Sequence, residues 1–354
     1  MKLYIILLFS LFVSANASYI KNSKKEMLLL ESFDIKPSFL YDPIMDKIRV
    51  KKYKESKYFF QTLNDAYLFI PTIKNILVNN HVPEEFLYLA MTESSFHLSA
   101  SSSKNAAGVW QFIPSTAREF HLKMDRFVDE RRDIIKSTQA ATKFLTQLHR
   151  QFGKWYLAAI AYNCGASRLK RGIKEAGSDE LNVLLDKHHS YIPKESKRYI
   201  RKIVAFTLFA NDEEFLFKHG QSHLLNISNT HSLSIITLKS GESLKRVSKL
   251  LNIPFKKLQS LNRHLKYNRI PRYIPYCNVY IPYKNLVNFK QNYYAQKVQQ
   301  RYKIHKVKKG ESLQVLSEKY GVTYKKILQI NKLKTMQLKE NQKIFIPLND
   351  GLNH

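Results

Sequence analysis

Between residues 58 and 220, apolar residues recur at the three- and four-residue spacing of amphipathic helices. The Pro-Glu-Glu sequence from Pro83 predicts the first turn of one helix, because proline is favoured at the first helical position and acidic residues favour the positive end of the helix dipole. Thr116-x-x-Glu119 predicts the start of another helix. The pattern therefore predicts a mostly helical domain over residues 58–220, preceded by a basic lead-in at 18–57 that the pattern does not assign.

One polar residue interrupts the apolar face of the helix that begins near Pro83. Phe86, Leu89, Ala90 and Glu93 follow the i, i+3, i+4, i+7 spacing, so Glu93 lies on the stripe that faces the core. Burial raises the pKa of a carboxyl, and the negative end of the helix dipole acts in the same direction. A raised pKa lets one carboxyl donate a proton and later take one back. On this stripe alone, a structural glutamate paired with a Lys or Arg residue is the alternative.

The last third of the chain contains an internal repeat. The tetrapeptide Gly-Glu-Ser-Leu at 241–244 recurs at 310–313, 69 positions later, and the register holds without a gap into the second predicted helix of each copy. Each copy has the pattern strand, helix, helix, strand, which predicts two βααβ modules over residues 234–283 and 302–348. Residues 284–301, rich in Tyr, Gln and Lys, are expected to form a linker. The predicted fold class is α+β, a mostly α-helical domain followed by two small modules.

Composition and charge limit the compartment and the partners. Residues 1–17 combine a lysine, an apolar run and small residues at both positions of an A-x-A cleavage site, which predicts a signal peptide and no transmembrane anchor. The formal net charge is +30, and residues 231–354 hold 25 Lys and Arg against 5 acids, so anionic partners are expected. Export argues against nucleic acid as the partner. The two cysteines, Cys164 and Cys277, exclude a disulfide scaffold, and their pairing is left open.

Four sequence blocks join apolar residues to amide, hydroxyl or aromatic groups. They occupy residues 93–96, 108–117, 161–165 and 191–199. Sugar sites are built in this way, because sugar rings pack on aromatic faces while amides fix hydroxyl and N-acetyl groups. The blocks therefore indicate a glycan-binding cleft, although Trp110 taken singly would more often be a core residue.

In order and spacing, these blocks resemble the goose-lysozyme-like lytic transglycosylases of family one, most closely the murein transglycosylase D branch, and the repeats resemble the glycan-binding LysM module. The resemblance covers roughly residues 64–210 and both repeats. It implies a lysozyme-like catalytic domain in which Glu93 is the sole catalytic acid/base. It also implies a set of residues that hold the glycan or line the cleft: Ser102, Gln111, Tyr162, Asn163 and Tyr199. In the second repeat, Asn341 stands where LysM modules usually carry glycine.

The resemblance implies cleavage of the bond between N-acetylmuramic acid and N-acetylglucosamine, with closure of a 1,6-anhydro ring. No acid lies between Glu93 and Glu119, which leans against a glycosidase with two carboxylates. A goose-type lysozyme acting on the same bond and a catalytically inactive peptidoglycan-binding protein are the alternatives. No cofactor or metal is expected, because His219 and His223 are four residues apart without the glutamate of an H-E-x-x-H zinc site.

The expected partner is peptidoglycan glycan strands, and the expected location is the periplasm in association with the cell wall. The absence of a cysteine before position 164 argues against a lipid-attached form. The sequence leaves the oligomeric state open.

Overall fold

The computed structural model of the protein describes residues 24–45, 47–48, 56–229 and 232–347. The expected signal peptide at 1–17 lies outside the described residues. The chain divides into two compact units. The first contains the described residues up to Leu244 together with Phe255–Tyr283, and the second contains Lys245–Pro254 together with the residues from Lys284 onward. None of the described helices is both long enough and apolar enough to span a membrane.

Helices make up most of the described residues before the repeats. Their bounds are α1 24–31, α2 Ser56–Asp65, α3 Ile70–Asn79, α4 Leu87–Ser94, α5 Pro114–Glu119, α6 Ile134–Phe152, α7 Trp155–Cys164, α8 Ala166–Ala176, α9 Leu181–Leu184, α10 Lys194–Asn211 and α11 Glu213–Lys218. Short 3₁₀ turns lie between them at Pro37–Tyr41, Glu84–Phe86, Glu130–Arg132 and Ser222–Asn229. The repeats then contribute β1 Leu233–Lys239, α12 Leu244–Leu251, α13 Phe255–Leu261, β2 Tyr276–Pro282, α14 Leu286–Arg301, β3 Tyr302–Lys306, α15 Leu313–Tyr320, α16 Tyr324–Ile330 and β4 Lys343–Pro347.

Helix α7 forms the centre of the first unit, because its residues from Tyr156 to Ala161 are all buried. Helices α6 and α10 pack against α7, and α4 packs against α10. Helix α6 begins where the Asp133 carboxylate accepts hydrogen bonds from two backbone N–H groups, and it ends at Gly153, whose φ of 75° closes the helix in the left-handed conformation. This packing brings the C-terminal ends of α4 and α7 to the N-terminal half of α10.

The described part of the basic lead-in contributes to the core of the first unit. Phe33 is fully buried, with its ring centroid 5.4 Å from that of Phe86. The Arg201 guanidinium pairs with the Asp42 carboxylate at 2.8 Å, and burial leaves only 3% of Arg201 exposed. The described part of the segment that the sequence pattern left unassigned therefore packs with the helical core.

The helices begin closer to the prolines Pro83 and Pro114 than to the Thr116-x-x-Glu119 sequence. Pro83 precedes the 3₁₀ turn Glu84–Phe86, which continues into α4, as the sequence predicted. The predicted start at Thr116 is wrong, because α5 begins at Pro114 and Thr116 lies inside it. Proline is preorganised for the first helical position, and this preference sets the start two residues earlier.

The first repeat contributes an antiparallel strand pair to the first unit. Strand β1 pairs with β2, with Leu233 opposite Pro282 and Lys239 opposite Tyr276. The buried core of the first unit includes Leu261 and Tyr280 from this repeat. Cys164 and Cys277 are both free thiols.

The second unit contains the complete second repeat. Strands β3 and β4 are antiparallel, with Tyr302 opposite Pro347, and α15 and α16 lie between them in sequence, as the pattern predicted. Their shared core is apolar and consists of Val307, Leu313, Leu316, Val322, Ile327, Ile344 and Ile346. Asn341 has a φ of 65°, a left-handed conformation that asparagine tolerates better than most residues, which explains why it can stand at a glycine position.

The predicted linker is helical. Residues 286–301 contain neither glycine nor proline and form α14. The side-chain amide of Asn292 donates to the backbone carbonyl of Leu250 at 2.7 Å, and that of Asn285 donates to Leu251 at 3.2 Å. These bonds satisfy carbonyls at the end of α12, so this segment is not an open spacer.

Candidate active site

Glu93 lies in the last turn of α4, which ends because Ser95 adopts a left-handed conformation with a φ of 51°. The carboxyl is partly buried, in keeping with its place on the stripe of Phe86, Leu89 and Ala90, all of which are fully buried. The Tyr199 hydroxyl on α10 donates a hydrogen bond to Glu93 Oε1 at 2.6 Å. The packing of α4 against α10 therefore places the Tyr199 phenol in hydrogen-bond contact with one oxygen of the Glu93 carboxyl.

Burial raises the pKa of Glu93 to about 7. The hydrogen bond from Tyr199 and the positive charge of Lys202 act in the opposite direction, and the negative charge of Glu195 adds to the rise. Glu195, Tyr199 and Lys202 are spaced i, i+4, i+7, so one face of α10 presents all three toward this carboxyl. A carboxyl with this pKa exchanges its proton readily near neutral pH, as a general acid/base must.

Tyr162, at the end of α7, forms the second phenol of the site. Its hydroxyl donates to the backbone carbonyl of Trp110 at 2.6 Å. Burial and the nearby Glu93 charge hold the pKa values of Tyr162 and Tyr199 well above the usual range, so both remain protonated donors. Trp110 itself is fully buried and donates through Nε1 to Thr138 at 2.9 Å, which makes it a core residue.

Asn163 lies next to Tyr162 and is oriented by α10. The Ser196 hydroxyl donates to Asn163 Oδ1 at 2.6 Å. Among the described residues, the Nδ2 amide of Asn163 has no hydrogen-bond partner. The donor end of this side chain is therefore available to an acceptor such as a sugar hydroxyl or an N-acetyl carbonyl.

Gln111 and Ser102 lie on the loop of residues 98–112. Gln111 has a left-handed φ of 48°, and its Nε2 amide donates to the Gly108 carbonyl at 2.8 Å. Ser102 is exposed, and its hydroxyl accepts from the backbone N–H groups of Lys104 and Ala106, each at 3.2 Å. The structure thus places Gln111 beside Trp110 and close to Tyr162, whereas the contacts of Ser102 lie within its own loop.

A pair of arginines, Arg131 and Arg132, holds this loop through hydrogen bonds that the sequence pattern did not predict; we call this pair the clamp. Arg131 Nη1 donates to the backbone carbonyls of Asn105 at 2.6 Å and Phe112 at 3.2 Å. Arg132 Nη1 donates to two carbonyls near the start of the loop at 3.0 and 3.1 Å. Asp129 pairs with the Arg131 guanidinium at 2.9 Å and fixes it. Because these partners lie 19 to 34 residues apart in sequence, no local spacing could reveal the clamp.

The histidines noted in sequence have other partners. His219 Nδ1 lies 2.8 Å from the Phe215 carbonyl, and His223 Nε2 lies 2.8 Å from Asn64 Oδ1. Within the part of the chain that the structure describes, no group of three or more His, Cys, Asp or Glu side chains could hold a metal ion.

Comparison with known proteins assigns three segments of the chain to families. Residues 71–184 match the Transglycosylase SLT domain, residues 232–298 match the LysM-like domain of the lytic transglycosylase MltD, and residues 305–347 match the LysM domain. The SLT match includes Glu93 and ends before Tyr199.

Two curated relatives align with most of the chain. Membrane-bound lytic murein transglycosylase D from Escherichia coli K12 and its counterpart from strain O6:H1 are each 27% identical over 325 residues, which is 86% of this chain and 69% of theirs. Among solved structures, an inactive mutant of the lytic transglycosylase Slt from Pseudomonas aeruginosa aligns with 20% identity and a TM-score of 0.34, over 42% of this chain and 24% of that one.

The chain therefore carries a Transglycosylase SLT domain followed by an MltD-type LysM-like domain and a LysM domain, and this domain content is that of a peptidoglycan lytic transglycosylase.

Proposed function

We propose that the protein cleaves the β-1,4 bond between N-acetylmuramic acid and N-acetylglucosamine and leaves 1,6-anhydro-N-acetylmuramic acid ends. The observation that supports this best is the partly buried carboxyl of Glu93, with a pKa of about 7 and a phenol bound to one oxygen. One residue with this pKa can serve as the acid and then as the base of a two-step reaction at neutral pH.

The hydrogen bond from Tyr199 decides which oxygen of Glu93 reacts. Because Tyr199 donates to Oε1, the proton of the neutral carboxyl resides on Oε2, which has no hydrogen-bond partner among the described residues. In the first step, Glu93 gives this proton to the glycosidic oxygen, the C1–O bond breaks, and the N-acetylglucosamine end leaves with a hydroxyl. The positive charge that develops at C1 is stabilised by the N-acetyl group of the substrate.

In the second step, the Glu93 carboxylate takes the proton from the 6-hydroxyl of the muramyl residue, and the oxygen attacks C1. The ring closes, Glu93 regains the proton that it lost, and no water enters the product. Lys202 stabilises the carboxylate between the two steps, because its charge favours the ionised form. Ser102, Gln111, Tyr162 and Asn163 are proposed to hold the glycan.

The alternative is a goose-type lysozyme, and Glu195 is the residue that favours it. This exposed carboxylate lies close enough to raise the pKa of Glu93, so it is the candidate for the second carboxylate of a hydrolase. The transglycosylase needs Glu93 alone, whereas the hydrolase needs both residues.

The test compares Glu93→Gln and Glu195→Gln with the wild type on purified sacculi, with products measured by mass spectrometry. We expect Glu93→Gln to bind sacculi but to release no fragments, and Glu195→Gln to keep releasing anhydro products, which are one water lighter than reducing sugars. Substantial cleavage by Glu93→Gln would sink the assignment of the acid/base. Reducing-end products that vanish in Glu195→Gln would establish the lysozyme instead.

We also propose that the protein is exported to the periplasm and associates with the wall. The proposed organisation is a signal peptide at 1–17, a lead-in at 18–57, a catalytic domain at 58–220, modules at 234–283 and 302–348, and a connecting segment at 284–301. A mature protein that begins at Ser18, measured by intact mass, is the expected result.

A further inference from the structure

The first repeat is joined to the catalytic domain through the segment of residues 123–133. Two backbone hydrogen bonds, each of 2.9 Å, connect residues 127–129 with residues 264–266. The Tyr280 hydroxyl donates to the buried Asp133 carboxylate at 2.5 Å, and the Tyr273 hydroxyl donates to Asp125. Backbone pairing and two side-chain hydrogen bonds, of which the Tyr280–Asp133 bond is buried, fix the orientation of this part of the repeat within the first unit.

Because of this docking, the repeat forms part of a cavity together with the segment that follows Glu93 in sequence. The cavity has a volume of about 270 Å³. One part of its lining is the segment Ser95–Ser99, which begins two residues after Glu93, and another is Ser260 and Arg263 from the repeat. Asp65 also lines it. The volume is near the lower end of small-molecule sites, about 300 Å³, which suits one end of a peptide.

Arg263 is the unusual group in this cavity. Its side chain is partly buried, yet it has no hydrogen bond or ion pair to any described residue. The nearby Arg132 guanidinium has its pKa lowered first by burial, with a further contribution from the charge of Arg263, so two positive charges lie close together. Partly buried charges are normally paired, and a guanidinium matches a carboxylate in shape and charge.

The other lining groups indicate what carries the carboxylate. The Ser95 and Ser260 hydroxyls already bond the Tyr58 hydroxyl and the Lys257 carbonyl, but each can still accept from an amide N–H, as can the exposed Ser99 hydroxyl. Exposed Asp65, which has no ion pair to a described residue, offers a partner for an ammonium. A peptide with a free carboxylate and a free amine satisfies both charged groups. A bare sugar chain offers no ammonium.

We propose that this cavity is a subsite for the stem peptide attached to the glycan, with Arg263 of the first repeat binding a stem-peptide carboxylate. The proposal rests on the proposed peptidoglycan-cleaving function, and it makes the first repeat a determinant of substrate choice. Removal of the stem by an amidase exposes the lactyl carboxylate of the muramyl residue, which is the other source of the same chemistry.

The experiment uses the full-length chain with two substrates, peptide-bearing glycan strands and amidase-stripped strands. The variants are Arg263→Ala, Arg263→Lys and, as a control, Arg272→Ala, which removes one exposed positive charge from the same repeat. We expect Arg263→Ala to lower kcat/KM about tenfold on peptide-bearing strands, which corresponds to about 1.4 kcal/mol, and to leave kcat/KM on stripped strands unchanged. On peptide-bearing strands, kcat/KM of Arg263→Lys should lie between those of Arg263→Ala and the wild type, and kcat/KM of Arg272→Ala should match the wild type.

Equal losses on both substrates would overturn the stem-peptide assignment, as would equal activity of Arg263→Ala and wild type on both. An unchanged melting temperature of Arg263→Ala shows that its effect is local. If the wild type released no anhydro product from either substrate, the proposed function would fail. The subsite is tested separately, because that test requires a wild type that cleaves both substrates and asks whether Arg263→Ala loses activity only on peptide-bearing strands.

Discussion

Tyr199 donates a hydrogen bond to Glu93 from a position 106 residues away in sequence. The place of Glu93 on an apolar helical stripe was sufficient to predict a raised pKa, because that argument needs only local spacing. The identity of its hydrogen-bond partner depends on how α4 and α10 pack, which local spacing does not encode. The resemblance supplied Tyr199 as a cleft residue, and the structure gives it a specific contact with the carboxyl.

Replacement of Tyr199 by phenylalanine is expected to change the pH dependence of the reaction. The hydrogen bond stabilises the ionised form of Glu93 and so lowers its pKa, which means that its removal raises that pKa. Because the first step of the proposed reaction needs protonated Glu93, we expect activity to fall as the pH rises above this pKa. We expect the alkaline limb of the kcat profile to move to higher pH by about one unit, measured as anhydro-product release.

Tyr162→Phe is the matched control for this experiment. It also removes one phenol hydroxyl from the site, but that hydroxyl donates to the Trp110 carbonyl and not to Glu93. Its alkaline limb should remain where the wild type has it, even if kcat falls. An identical shift in both variants would mean that the direct hydrogen bond does not control the proton of Glu93.

At the scale of elements, the loop of residues 98–112 depends on close approach to Arg131. A Cβ atom added to Gly108 would lie 1.9 Å from the Arg131 carbonyl oxygen, and the φ of Gly108 is 80°. Glycine is therefore required here for two reasons, the left-handed backbone and the lack of space. The loop carries Ser102 and Gln111, two of the residues that we propose hold the glycan.

Gly108→Ala should lower the free energy of unfolding by about 3 kcal/mol or more, because it combines backbone strain with a clash against backbone atoms. Gly153→Ala is the matched control, since Gly153 has a similar φ of 75° and nothing within 4 Å of its Cβ position. Backbone strain alone should cost the control about 1 kcal/mol in urea unfolding. Equal losses in the two variants would show that the approach to Arg131 is unimportant.

The elements that could be predicted from sequence are those with a repeating local signal. The helix of Glu93 and the strand, helix, helix, strand order of the second repeat follow from apolar spacing, and two copies in register strengthened the latter. The helix at 286–301 was missed because a polar composition concealed it. The lead-in was not assigned because its apolar residues are mixed with many charged ones, and the burial of a residue such as Phe33 depends on a distant partner, Phe86.

At the scale of the whole molecule, the structure indicates which truncation can remove positive charge without damaging the catalytic unit. Residues 231–354 carry 25 Lys and Arg against 5 acids, but Leu261 and Tyr280 belong to the core of the first unit. A truncation at residue 231 would therefore damage the catalytic unit as well as remove charge. Truncation at residue 302 removes only the second LysM module and the residues after it, with 11 Lys against 4 acids.

Deletion of residues 302–354 is expected to weaken retention on sacculi at low salt by about tenfold or more, and to leave kcat on short soluble glycans within about twofold of the wild type. The first effect follows from the loss of a glycan module and of exposed lysines that attract an anionic wall. The second follows because the described contacts of Glu93, Tyr199 and Tyr162 all come from the first unit.

A lysine variant separates charge from glycan recognition within the second module. Lys308, Lys309, Lys325 and Lys326 are exposed, so changing all four to glutamine should leave the apolar core of the module intact. Salt screens attraction between exposed charges over about 10 Å at 0.1 M, so wild-type retention should fall as salt is added, and the variant should start lower and fall less. Co-sedimentation with sacculi across a salt series measures both slopes. If the protein lacking residues 302–354 were retained as well as the wild type at low salt, attachment through this module would be refuted. If the wild type and the lysine variant had equal salt slopes, attachment would be assigned to the glycan site alone.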